Sequence, residues 1–187
     1  LHLSIRRQRQ MCIRDRNITK DNCHYSVAGI KAVYLFNYDA ENDYTFGADG
    51  GIDTITLADS AKAFKIDFAD NTASFSDELA VNGNGGKYRT HTVNFTISNY
   101  DYELLNQEKA LSLGKFTTVI VDRSNRAIML GRYNGLSATA FNYASGAADA
   151  DAYGWTVTMD GTEIEMGRLL KDESVISVIV DKTVVTP

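Results

Sequence analysis

The sequence predicts a mainly β protein, an antiparallel barrel or sandwich with one amphipathic helix at about residues 100–113. Three observations lead there. From Ile30 onward, short apolar runs and period-two alternation recur between turn residues. The periodicity turns helical over only one stretch, so the chain lacks the strand–helix alternation of an α/β enzyme, and it has no repeat at a fixed period. Finally, 187 residues that are 44% apolar, with eight Phe and ten Tyr, can build a sizeable core in one domain.

The first strand is Ile30–Phe36, β-branched and aromatic. Asn37–Gly51 is acidic and Gly-rich and reads as a loop with a weak strand at Tyr44–Phe46. Ile52–Leu57 alternates, with Ile52, Thr54 and Thr56 on one face and Asp53, Ile55 and Leu57 on the other. Ala63–Phe68 groups Phe64, Ile66 and Phe68, leaving Lys65 and Asp67 outward. After a break at Asp70-Asn71, Ala73–Val81 forms a strand with Phe75 on one face. Val81–Lys87 (VNGNGGK) is the strongest turn signal, because its Asn and Gly residues tolerate positive φ. Tyr88–Ile97 returns with Val93, Phe95 and Ile97 together.

Tyr100–Leu113 then fits an amphipathic helix. Leu104, Ala110 and Leu111 share a stripe flanked by Leu105, Ser98 or Asn99 caps it, Asp101 and Glu103 suit its positive end, and Gly114 stops it. Phe116–Val121 and Ala127–Arg132 form a hairpin across the polar segment 122–126. Gly135–Ala152 reads as a loop or an irregular strand. Gly154–Met159 and Thr162–Met166 make a second hairpin across Asp160-Gly161, a pair suited to a type I′ turn. Val175–Val180 and Thr183–Val185 are β-branched, and 167–187 reads as a strand-rich extension beyond a domain at 17–166.

Charge divides the chain unevenly. Residues 1–16 carry five Arg against Asp15, which leaves 14 bases against 23 acids, a net charge of −9, for the remaining 171 residues. A basic arm for anionic partners fits that charge. A targeting peptide fits poorly, since no apolar stretch of sufficient length and no small-residue cleavage site follows. RQRQMCIRDR closely resembles translated sequencing-adapter read-through, so 1–16 is treated as an artefactual segment, with the genuine N-terminus expected to be truncated. No run of 18 apolar residues predicts a membrane-spanning helix. The acidity of the rest argues against general nucleic-acid affinity.

No catalytic, cofactor-binding or metal-ligating residue is nominated. Cys12 and Cys23 make no disulfide framework or zinc motif. Cys23 and His24 are adjacent, and neighbours on an extended chain point apart, so no thiolate–imidazole pair is expected. Cys23 reads as a small buried hydrophobe. His91 is expected to point outward with Arg89 as a solvated strand residue. Asp149–Gly154 opens like a calcium loop but has Tyr153 at the fifth position and Asp160 at the twelfth. Gly47–Asp53 is like a single turn of a calcium β-roll, which needs repeated copies. The pairs Asp67/Asp70 and Glu163/Glu165 read as exposed acids rather than glycosidase carboxylates. No P-loop, GxGxxG, GxSxG or HExxH occurs.

Several segments in order carry a family likeness: residues 28–38 (AGIKAVYLFNY), Phe64–Phe68 with Thr72–Glu78, Tyr88–Ile97 and its helix, Val119–Asp122 with Leu130-Gly131, Asn134–Leu136, and Asp151–Thr158 with Gly161–Glu163. Over about residues 23–166 this set resembles the tail-tube (major tail) proteins of tailed bacteriophages. It departs from the family at Ser124-Asn125-Arg126, where Asn-Gly is expected, and beyond Met166. The resemblance implies a virion structural protein without catalysis or cofactor. Its β-barrel subunits would close into stacked homo-oligomeric rings, joined by other virion tail proteins, around a lumen that DNA passes without specific binding. Residues 38–51 and 80–87 would reach neighbouring subunits, and no membrane is involved. The alternatives are a head-decoration or fibre-attachment protein and a carbohydrate-binding β-sandwich that uses Trp155 and nearby Tyr residues as a platform.

Overall fold

A computed structural model describes residues 28–98, 100–148 and 151–181. Eleven strands occur among them: β1 (Ile30–Asn37), β2 (Asp43–Phe46), β3 (Ile52–Thr56), β4 (Phe64–Ile66), β5 (Ser74–Val81), β6 (Lys87–Ile97), β7 (Lys115–Asp122), β8 (Ala127–Leu130), β9 (Leu136–Ala144), β10 (Gly154–Glu163) and β11 (Arg168–Leu169). Two helices accompany them, α1 (Tyr102–Leu113) and the single turn α2 (Ser174–Ser177). The fold is mainly antiparallel β, as the patterning predicts. Among the described residues the sheet does not close into a barrel.

Nine strands form one sheet in the order β11-β8-β7-β9-β10-β6-β5, with β1 on the other side of β7 and β4 beyond it; β2 and β3 make a separate hairpin. β7 is the junction. It pairs with β1 along its length, with β8 over Thr118–Val121, and with β9 only at Lys115 and Phe116. The sheet folds over at that short contact. Val33, Leu35 and Ile120 thereby pack in one cluster with Val93, Phe95, Val157 and Met159, closed by Leu111 of α1.

The opposite face of β1, β7 and β8 is buried as well. Ala32, Tyr34 and Phe36 join Val119, Val121 and Met129 beneath Ile52, Ile55, Leu170 and Ile176. This accounts for the continuous apolar runs in β1 and β7, which need hydrophobic residues on both sides. Each such Val or Ile contributes about 1.5–3 kcal/mol by leaving water.

Four expectations are corrected. Asp160-Gly161 is not a turn, because β10 runs straight through it, pairing Asp160 with Thr92 and Gly161 with His91. The glycine is needed for space: a Cβ there would overlap the Gly135 carbonyl oxygen. The strict alternation of Ile52–Leu57 is broken by a bulge, since Phe46 pairs with Ile52 and Thr45 with Thr54. The extra residue, Asp53, puts Ile52 and Ile55 into the same core. Phe64 lies exposed on the edge strand β4, while Ile66 and Phe68 pack inward.

The fourth concerns the C-terminal segment. Val175–Val180 is not a strand, for α2 occupies Ser174–Ser177, and Thr183–Val185 lies outside the described residues. The chain from 168 to 181 is part of the same packing. Leu170 and Ile176 enter the core, Lys171 donates to Ile52 O at 2.9 Å, and Glu173 accepts from Tyr34 Oη at 2.9 Å and Lys31 Nζ at 3.0 Å. Burial, with the hydrogen bond and charge of Glu173 adding to it, pushes the Tyr34 phenol up to about 12. α1 starts on Asp101, whose carboxylate accepts from Leu104 N at 2.8 Å. Leu104 and Leu111 face the core while Ala110 stays exposed.

Candidate assembly surface

The sheet made by β5, β6, β10 and β9 carries three features at one place: an open face, a free edge and a projecting arm. Parity decides the face. On β6 the odd residues His91, Val93, Phe95 and Ile97 point inward, so Thr90, Thr92, Asn94 and Thr96 point outward. Their cross-strand partners are Glu78, Ser76 and Ser74 on β5 and Thr162, Asp160, Thr158 and Thr156 on β10. Asn142 and Ala140 continue the row on β9. Between Ser74–Glu78, Thr90–Thr96 and Thr156–Thr162 this face is made of hydroxyls and amides, with Glu78 and Asp160 and without Lys or Arg. Thr158 Oγ1 bonds Asn94 Oδ1 at 2.8 Å, and Thr139 Oγ1 reaches Asp160 Oδ2 at 3.3 Å.

The edge is β5. It pairs with β6 on one side, and among the described residues no strand pairs with the other. The outer side of this eight-residue strand, apart from the Asp77 carbonyl that accepts from Arg89 Nη2 at 3.2 Å, is a ready template for another chain. Near its end the inward-facing side chains are Leu79 and Val81, which are 58% and 60% exposed because the core stops short of them.

Where the core stops, a layer of charge closes it. His91 is only 1% exposed. Its Nδ1 accepts from Gly131 N at 3.3 Å, and its Nε2 lies 3.3 Å from Asp77 Oδ1 without making a hydrogen bond. The solvated His91 that alternation seemed to allow is therefore overturned, since 91, 93, 95 and 97 share one side. Asp77 accepts from Arg89 Nε and, at 2.9 Å, from Gly167 N. Burial pushes its carboxyl up, but the Arg89 and Gly167 donors and the neighbouring charges outweigh that and hold it below the usual range.

Beside this layer Glu163, also buried, accepts from Tyr133 N at 3.1 Å and Asn134 N at 2.9 Å. Glu165 bridges Arg132 and Arg168. Burial opposes its ionisation, but the two guanidinium partners prevail, so its carboxyl lies low. The Arg132 guanidinium lies 4.0 Å from the Tyr133 ring centroid and 5.3 Å from that of Phe46, latching the β2–β3 hairpin to the sheet. Glu163 and Glu165 are thus hydrogen-bond acceptors with their partners in place, and the exposure expected for them is not found.

The remaining candidates are placed as follows. Cys12, Cys23, His24, Asp149 and Ala150 lie outside the described residues. Asp151 accepts from Ala147 N and Ala148 N at 2.8 Å, closing a local turn. Gly47–Gly51 is likewise a turn, with Gly47 N on Gly51 O at 2.9 Å. Among the described residues no group of three or more His, Cys, Asp or Glu side chains is arranged to hold a metal ion, and no helix is long and apolar enough to cross a membrane. Trp155 offers no open platform. Tyr100 stacks on it at 5.5 Å and 18°, with Phe141 at 4.9 Å and Tyr143 at 5.2 Å around it.

No family model matches the chain, and neither does any curated protein. The surface must therefore be read from its own chemistry. Sequence reasoning missed the Asp77–Arg89–His91 layer. Its signal was the odd parity of His91 with Val93, Phe95 and Ile97, and the absence of any charged residue on that side of β6 after His91.

Proposed function

We propose that the chain is a virion structural protein whose copies assemble into stacked rings, forming a tail tube through which DNA passes. The observation that carries this reading is the β5-β6-β10-β9 sheet, free of Lys and Arg on its open face and unpaired along β5. A free edge of eight residues is a liability in a monomer and a joint in an oligomer. A strand from the next copy would pair with it, and pairing repeated around a ring would complete a barrel that one subunit leaves open. Leu79 and Val81 lose their exposure in the same event.

The open face suits a lumen wall. Phosphates bind where Lys and Arg release counterions. A wall of Thr, Ser and Asn with scattered carboxylates gives DNA nothing to hold, and the −9 charge of residues 17–187 adds a uniform repulsion. The ordered resemblance to tail-tube proteins points the same way. The partners are then further copies of the chain and other tail proteins, the location is the virion after assembly in the host cytoplasm, and no catalysis or cofactor is involved.

The test is assembly. Purified chain lacking residues 1–16 should form rings or tubes by negative-stain microscopy and sizing, and the pair Leu79→Asp with Val81→Asp should leave a folded monomer. Strictly monomeric protein at high concentration would overturn the reading. Thr92→Lys with Thr158→Lys should preserve the tubes while conferring salt-sensitive DNA retention. If tubes form and those lysines retain no DNA, the face is not the lumen wall.

A further inference from the structure

The chain contains three Asn-Gly steps: Asn82-Gly83, Asn84-Gly85 and Asn134-Gly135. Glycine after asparagine permits a known backbone reaction. The amide nitrogen of the glycine attacks Cγ of the asparagine carboxamide, forming a C–N bond that closes a five-membered succinimide. The carboxamide C–N bond breaks, and its nitrogen leaves as ammonia, carrying the proton lost by the attacking amide. Water then opens the ring, giving aspartate or isoaspartate. The balance is asparagine plus water to acid plus ammonia, with no change of oxidation state. Three local requirements decide which step reacts: an attacking N–H not held by an acceptor, stabilisation of negative charge developing on Oδ1, and open surroundings.

Among the described residues only the first of the three steps meets all three requirements. Asn82 Oδ1 accepts from Asn84 N at 3.1 Å and Gly86 N at 2.7 Å. Two backbone donors converge on the atom that becomes an oxyanion when Cγ is attacked. Among the described residues the Gly83 N–H has no acceptor, and a Cβ added at Gly83 would meet no atom within 4 Å. Asn84 stands just as open, since a Cβ at Gly85 would meet no atom within 4 Å, but it fails the other two requirements. Its nucleophile, the Gly85 N–H, is donated to Asn82 O at 2.9 Å, and among the described residues no donor is aimed at its Oδ1. Asn134 is clamped. Its Nδ2 donates to Thr162 O at 2.7 Å. Gly135 is buried with φ at +71°, and a Cβ there would stand 2.9 Å from Tyr38 Cβ.

We propose that Asn82 is a self-modification site, converting through a succinimide to aspartate and isoaspartate, and that the turn of the β5–β6 hairpin selects it over the other two Asn-Gly steps. The product differs in charge and in path. One negative charge appears at the hairpin tip. In isoaspartate the main chain runs through Cβ and Cγ, so the carbonyl that accepted from Asn84 N and Gly86 N becomes part of the backbone. The tip loses the bonds that define it. Ageing of the chain therefore rewrites the end of its projecting arm while the core is left alone.

The experiment is incubation of the folded chain in mildly alkaline buffer, followed by trypsin digestion and fragmentation mass spectrometry. Asn82 and Asn84 fall in the fragment 66–87 and Asn134 in 133–168. The expected result is conversion at Asn82 at least about tenfold faster than at Asn84 or Asn134. Isoaspartyl methyltransferase labelling should mark the same fragment. In denaturant the three steps should react at similar rates, since the selection lies in the fold. Gly83→Ala should slow conversion at Asn82, whereas Asn84→Ala should not. Equal rates in the folded chain, a faster reaction at Asn84, or conversion at Asn82 only after denaturation would each overturn the proposal. None of these outcomes depends on whether the chain assembles.

Discussion

The β7–β8 and β5–β6 hairpins turn in the same way and end in opposite places. In β7–β8, Asp122 N bonds Arg126 O at 3.0 Å, Asn125 N bonds Asp122 O at 3.0 Å, and Asn125 takes φ +58°. In β5–β6 the matching bonds are Asn82 N to Gly86 O at 2.8 Å and Gly85 N to Asn82 O at 2.9 Å, with Gly85 at φ +79°. The first residue of each turn caps it, Asp122 Oδ1 accepting from Ser124 N and Arg126 N as Asn82 Oδ1 accepts from Asn84 N and Gly86 N. Asn125 therefore fills the positive-φ position that Gly85 fills in the other turn, as asparagine tolerates that conformation. Yet β7 is buried from Phe116 to Asp122, while β5 is exposed or half-exposed throughout. Turn chemistry sets register and hand; the residues on the strands decide whether the hairpin is core or arm.

The largest effect that tests this contrast is a charge placed at equivalent ends. Val121 and Val81 each stand one residue before their turn. Val121→Asp buries a carboxylate among Ala32, Met129 and Ile176 and should cost roughly 4–5 kcal/mol, unfolding the chain in thermal circular dichroism. Val81→Asp should leave the melting temperature of the monomer unchanged and act only on assembly. Equal destabilisation by the two would show that the arm is packed against something in the monomer.

Next in size is the layer that separates core from arm. Removing Asp77 leaves Arg89 and Gly167 N without their shared acceptor beside the buried His91. Asp77→Ala should therefore cost about 2–3 kcal/mol by denaturant titration. Glu78→Ala, one residue along on the open face, should fall within about 0.5 kcal/mol of the parent chain.

Much of this was legible in the sequence. Ile30–Phe36, Tyr88–Ile97, the helix and both turns follow from local pattern, because local chemistry and tertiary packing agree there. The failures share a cause. Gly161 lacks a side chain because the Gly135 carbonyl passes over it, Asp53 bulges to bring Ile52 and Ile55 together, and Ser174–Ser177 becomes helical where it packs on β3. Each depends on a partner distant in sequence, which no local period encodes. The surface was harder still. Thr90–Thr96 reads as an ordinary polar face until β10 and β5 are laid beside it, and only then does the absence of cations extend across three strands.

The smallest expected effect separates the two turns by pH. Burial raises the Asp122 carboxyl, but the N–H and guanidinium of Arg126 and the N–H of Ser124 more than compensate, so its folded pKa lies below the ordinary value. A depressed carboxylate stabilises the fold in full above its unfolded pKa, near 3.9, and that contribution is lost as pH falls through the lower folded value. Asp122→Asn keeps the acceptor but removes the titration. It should lower stability at neutral pH by about 1 kcal/mol or less and flatten the acid limb of the stability curve, with Asp77 and Glu165 supplying what remains. Asn82→Asp makes the reciprocal change. Its new carboxylate would keep the Asn84 and Gly86 N–H donors, which favour ionisation as the backbone donors of Asp151 do, but would have no counterpart to the 2.7 Å Arg126 contact. Urea midpoints across the acid range should therefore respond more to the first substitution than to the second. A matching response would mean that the caps, rather than the cores beneath them, govern both hairpins.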